Sequence, residues 1–193
     1  MNPRGHPLWR VAQQHWLVVA GLFLLLTAVN AGLVAAARGR QALRNTGEGI
    51  VKLEADPWDA EAVLAAWSKA GVLGQAEEAV AWDYGLIAGY VAALSIASLA
   101  FARRGGWYES WGGSCAWLSL AVGALDAVEN VGLLQMVGFA KRGQGLGSWP
   151  SFTAAFSWPK WAGCVVVVGF LVVALVSAAR EETGASLPAA RPS

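Results

Sequence analysis

Residues 114–138 read SCAWLSLAVGALDAVENVGLLQMVG, an apolar run interrupted by Asp126, Glu129 and Asn130. About 20 apolar residues in a helix cross the hydrocarbon core of a bilayer, so the run is long enough to span. A charge near the bilayer centre costs about 2.5–3.5 kcal/mol even on the lenient insertion scale, and marks a partner, a water-filled cavity or a ligand. The spacing i, i+3, i+4 places all three polar residues on one helix face, and Ser119 and Gly123 continue that stripe.

Outward from this run the chain repeats the same character. Residues 16–37, 82–102 and 157–179 are further apolar runs of spanning length. They explain a composition that is 56% hydrophobic and only 14% charged, where soluble domains carry about 25% charged residues. Mean hydropathy is +0.45. The runs are continuous rather than alternating, which predicts helices and excludes a barrel. The expected fold is all-α, an integral membrane bundle of four antiparallel transmembrane helices. The first run follows a basic leader but exceeds the roughly 7–15 residues of a signal-peptide core, so it reads as a retained helix.

Four spans place both termini on one side of a multi-pass protein, and a bacterial-type plasma membrane is the expected location. The single domain covers residues 1–182, and the tail 183–193, rich in Ala, Pro and Ser, is expected to be disordered. Lys and Arg near the spans favour neither side clearly, so the sequence assigns no orientation. The long loop 38–81 is predicted to hold an amphipathic helix over about 57–70, lying at the membrane interface. Asp56 is its expected N-cap, Pro57 its first residue and Gly71 its stop, with Trp58, Leu64 and Trp67 supplying apolar surface. Trp82, Trp149, Trp158 and Trp161 on one side, and Trp9, Trp16, Trp107, Trp111 and Trp117 on the other, form the expected interfacial belts. Gly85 and Gly89 form G-x-x-x-G, which predicts a close helix approach within the bundle. Cys115 and Cys164 fall at different depths of antiparallel spans, too far apart for a disulfide.

Antiparallel topology gathers the polar residues in one half of the bundle, away from the termini. The third span ends there with Asp126, Glu129 and Asn130. The second starts there with Asp83, Tyr84 and Tyr90, the fourth with Lys160, and the first ends there with Thr27 and Asn30. Lys160 is the expected counter-charge, turned inward toward Glu129 rather than snorkelling to headgroups. The candidate intramembrane site is therefore Asp126, Glu129, Asn130, Lys160, Asp83, Tyr90 and Asn30.

The leading reading is a membrane protein whose buried acidic and amide cluster binds or conducts a proton, a cation or a cationic small molecule, with transport as one use. A second is an enzyme acting on a lipid or sterol-like substrate through carboxylate acid/base chemistry. A third is an accessory subunit in which the polar residues only hydrogen-bond neighbouring helices, at about 0.6–2 kcal/mol each. In helix number and bundle acids the chain resembles the four-span EXPERA group, which includes sterol isomerases. The resemblance implies the second reading and carries no residue roles. The only histidines, His6 and His15, lie in or beside the leader, so no metal centre is expected, and no phosphate loop or other cofactor motif is present. A net charge of +1 gives no nucleic-acid partner. The expected partners are membrane lipids and a small cationic or lipid-like ligand.

Overall fold

The computed structural model describes residues 2–36, 38–47 and 49–185. These are all-α: α1 Trp9–Ala36, α2 Arg38–Asn45, α3 Ile50–Ala55, α4 Ala60–Lys69, α5 Leu73–Ala102, α6 Trp107–Lys141 and α7 Trp149–Ala185. Two short 3-10 turns, Pro3–Gly5 and Pro57–Asp59, complete them. Three helices among the described residues are long and apolar enough to cross a membrane: Leu73–Ala102, Trp107–Lys141 and Trp149–Glu181. The first expected span falls on α1, where residue 37 and several side chains, that of Asn30 included, lie outside the described residues. The tail beyond residue 185 also lies outside them.

Each of these three helices outruns the segment that hydropathy marks. The α5 helix begins at Leu73 rather than Trp82, because Ala76, Ala79 and Val80 bury one face of its first turns against a cap outside the span. Likewise α6 starts at Trp107 and α7 at Trp149, so the connections expected at 103–113 and 139–156 shrink to short turns. Hydropathy reports the hydrocarbon thickness, whereas a helix continues as long as one face finds partners. On α7 only 28% of the apolar window is buried, and Val165, Val172, Val173 and Leu175 are exposed, as a lipid-facing helix requires.

The α5–α6 hairpin is the centre of the bundle, with α1 packed on α5 and α7 on α6. One end is tied by polar contacts. Arg103 Nη1 donates to the carbonyl of Ala12 at 3.1 Å, and Tyr108 Oη donates to Glu181 Oε1 at 3.1 Å. The start of α1, the end of α5, the start of α6 and the end of α7 therefore meet there. At the same end the leader folds back. His6 is buried, its Nε2 donating to the Ala116 carbonyl at 3.2 Å while its Nδ1 accepts from Leu8 N–H at 3.2 Å. That pattern uses one ring proton and fixes the neutral imidazole.

Backbones approach closely where glycine permits it. A Cβ on Gly112 would lie 2.5 Å from the Ser98 carbonyl oxygen and 2.9 Å from the Ala102 nitrogen. Gly89 similarly receives Thr27 of α1, while its G-x-x-x-G partner Gly85 is exposed. One glycine of the motif makes the approach.

At the other end, residues 38–72 build a cap. Ala60, Val63, Leu64 and Trp67 recur at i, i+3, i+4 and i+7 on α4 and are all buried. They join Leu43, Leu53, Leu133, Met136 and Val137 in one apolar cluster, with Trp67 fully buried at its centre. Trp58 instead points outward, 68% exposed. Asp56 occupies the cap position without a side-chain capping bond, and Asp59 pairs with Lys52 at 3.0 Å. The expected interfacial helix is thus one part of a packed structure seated on the ends of α5, α6 and α7.

Gly112→Ala should destabilise the bundle by roughly 1–3 kcal/mol, because the added methyl meets backbone rather than a movable side chain. Gly21→Ala, where nothing lies within 4 Å, is the control and should be neutral or slightly stabilising. Heat-denaturation midpoints in nanodiscs check both.

His6 gives the leader a pH dependence. Burial lowers its pKa from 6.5, partly opposed by the Ala116 hydrogen bond. A depressed imidazole makes the unfolded leader the better proton binder, so docking is complete above the unfolded pKa and weakens as pH falls below it. Amide exchange over residues 2–12 should accelerate from pH 7 to pH 5, and His6→Gln should flatten that change.

Candidate functional site

Three helices each present a stripe of one face to the same space. On α5 it runs Asp83, Leu86, Tyr90, Ala93 and Leu94. On α6 it is Asp126, Glu129 and Asn130. On α7 it is Ser157, Lys160, Trp161 and Cys164, spaced i, i+3, i+4, i+7. These spacings follow from the 3.6-residue period alone. Packing decides that the three stripes converge.

Lys160 sits at their junction, only 5% exposed. Its Nζ donates to Asp126 Oδ1 at 3.0 Å and forms a close ion pair with Glu129 Oε2. Tyr90 Oη donates to the other oxygen of Asp126, Oδ2, at 2.6 Å. Asn130 Nδ2 donates to Asp83 Oδ2 at 2.9 Å. The ammonium also lies 5.2 Å from the Trp161 ring centroid, within cation–π range. Asp126, Glu129 and Asn130 are 7%, 0% and 1% exposed, so the polar face of α6 points into the bundle and not to lipid. Pro159 precedes Lys160 inside α7 and cannot donate a helical hydrogen bond, which loosens the ladder where the charge sits.

A cavity of about 340 Å³ opens beside this network. Asp83, Tyr90, Asp126 and Lys160 supply its polar wall, and Leu24, Leu86, Leu94 and Trp161 much of its apolar wall. Along α5 it extends from Asp83 to Leu94, about 16 Å at 1.5 Å per residue. Its acidic end faces the cap and its apolar end lies deep in the bundle. Leu24 of α1 and Trp161 of α7 bring two helices that do not pack closely on each other to its two sides.

Glu54 of α3 also lines the cavity, a residue that the hydropathy of the spans does not signal. Its one sequence cue is local. Ile50 is a buried position of α3, and Glu54 follows it at i+4 on the same face. Ser157 Oγ donates to the Glu54 backbone carbonyl at 2.8 Å and so ties α3 to the helix that carries Lys160. Burial pushes the Glu54 carboxyl up to about 7. Lys160 opposes this, while Asp83, Glu129 and Asp126 add to it. Three carboxylates, those of Asp126, Glu129 and Glu54, therefore act on the one ammonium of Lys160 among the described residues, and Asp83 lines the same cavity.

The Ser157 proton is committed to Glu54, and Glu129 Oε1 is left fully buried without a hydrogen-bond partner. Such an acceptor costs about 1–3 kcal/mol or more when charged. No group of three or more His, Cys, Asp or Glu able to hold a metal ion occurs among the described residues. Cys115 and Cys164 are both free thiols, the first buried and the second on the cavity wall. No protein-family model matches the chain, and no curated protein or solved structure matches it.

Lys160→Met removes the one ammonium and leaves Asp126 and Glu129 facing each other. It should destabilise the protein by about 3–5 kcal/mol. Combining it with Asp126→Asn and Glu129→Gln removes the stranded charges and should restore most of the loss. Denaturation in detergent of the single and triple variants checks this.

Proposed function

We propose that the chain is a four-span membrane protein, with α1 as the additional span and both termini on one face, whose cleft binds and exchanges a proton or a small cation. The observation that carries this reading is the imbalance of charge. Among the described residues Glu54, Asp126 and Glu129 act on Lys160, and Asp83 lines the same cavity. In low dielectric that many like charges do not all remain ionised without a counter-ion, so protons and cations compete for the same oxygens. The apolar wall of Leu24, Leu86, Leu94 and Trp161 favours a second reading, an enzyme whose lipid-like substrate enters between α1 and α7 with Asp126 and Tyr90 as its acid/base pair. Lipid co-purifying in stoichiometric amount, and consumed on incubation, would select that reading.

Cation binding and Glu54 protonation exclude each other in the leading reading. Glu54 carries a proton below about pH 7, so a cation must displace it there and need not above. Cation affinity should rise about tenfold from pH 6 to pH 8, with about one proton released per chain at pH 6 and about half of one at pH 7. Calorimetry and pH-dye measurements on purified protein with sodium, potassium and ethylammonium test this. Glu54→Gln should abolish the release and flatten the pH dependence. No binding and no release with any of the three would sink the reading.

A further inference from the structure

A second cavity, of about 280 Å³, lies in the cap and is lined by Leu43, Arg44, Gly49 and Ile50 together with Glu54, Asp83 and Leu86. The last three residues also line the intramembrane cavity. The two spaces are therefore adjacent and share three side chains, two of them carboxylates. On the far side of the site the packing is different in kind. Ser95, Ile96, Leu99 and Ala116 are fully buried there, in contact with α1 and the leader.

We propose that the cap cavity is the aqueous vestibule of the intramembrane site. Protons and small hydrophilic cations reach Lys160 and Asp126 from the cap end through it, and Glu54 and Asp83 relay them between the two chambers. The inference rests on the cation-exchange reading above and adds the route and its sidedness to it. A hydrophilic cation entering sideways from lipid would lose its hydration against Leu24, Leu94 and Trp161, whereas the cap route offers a carboxylate at the dividing wall. Glu54 suits a relay at neutral pH, since burial holds it up to about 7. The charges it faces are Lys160 on α7, Asp83 on α5, and Asp126 and Glu129 on α6, and Arg44 of α2 lines the vestibule beside it. In the relay a proton from vestibule water forms an O–H bond on the Glu54 carboxylate. That bond breaks as the proton passes to a carboxylate on the inner side.

Cys164, on the wall of the inner cavity, reports access. In a Cys115→Ser background in nanodiscs, a bilayer covers the lateral opening and both faces meet water. A cationic, membrane-impermeant methanethiosulfonate should modify Cys164 faster than its anionic sulfonate analogue, by about tenfold or more, because the carboxylates steer it. Gly49→Trp fills the vestibule. A Cβ there meets nothing within 4 Å and its φ is −87°, so the variant should fold, as circular dichroism will show. It should slow modification by the cationic reagent and slow proton release on cation addition. Glu54→Gln with Asp83→Asn should erase the preference for the cationic reagent. Unchanged rates in Gly49→Trp, equal rates for the two reagents, or modification by membrane-permeant apolar reagents alone would overturn the route. Proton release that persists in those cases leaves the exchange reading standing. Loss of release from the unmodified protein removes both.

Discussion

One ammonium between two carboxylates holds the bundle's polar half together. Lys160 enters from α7 and is gripped by Asp126 and Glu129 of α6, one helical turn apart. None of the three has more than 7% of its surface exposed. Taking such charges out of water costs several kcal/mol each, and mutual attraction offsets this only with good geometry and further hydrogen bonds. Tyr90 supplies one such bond from α5. The ion pair is thus a constraint on three helices at once, and the neighbouring cavity exists because these side chains converge without filling the space between them.

The cap acquires its meaning from that constraint. Its apolar cluster around Trp67 is an ordinary soluble-type core, built on the first turns of α5 and the last turns of α6. That core holds α3 over the acidic end of the cleft, and the bond from Ser157 to the Glu54 carbonyl fixes α3 against α7. A fourth carboxylate is thereby delivered to a site that already holds three. Stability of the cap and composition of the site are in this way one problem, since loosening α4 frees α3 and with it Glu54.

Charge imbalance of this kind costs stability. A bundle that needed only glue would be served by Asn or Ser pairs, whose hydrogen bonds carry no Born cost. Leaving Glu129 Oε1 unsatisfied in a fully buried position points the same way. Meanwhile α7 turns valines and Leu175 outward over residues 165–176. The molecule is thus apolar where it meets its surroundings and charged where it meets itself.

The sequence by itself determined the helical class, the spanning character of α5, α6 and α7, and the common face of Asp126, Glu129 and Asn130. Those properties are periodic or compositional, and a period of 3.6 residues or a run of apolar side chains is written in one dimension. Antiparallel order also placed Asp83, Tyr90 and Lys160 at the depth of those acids, because depth follows from position along a span. Tertiary structure alone decided which of them touch. It gave Lys160 to Asp126 as well as to Glu129, and Asn130 to Asp83, since rotation of each helix about its axis is set by ridges, glycines and neighbours. It alone also turned the loop 38–81 into a packed cap, with Trp67 buried and Trp58 exposed. And it alone brought in Glu54, because a short helix outside the membrane has no span to fix its depth and takes its place only from the core beneath it.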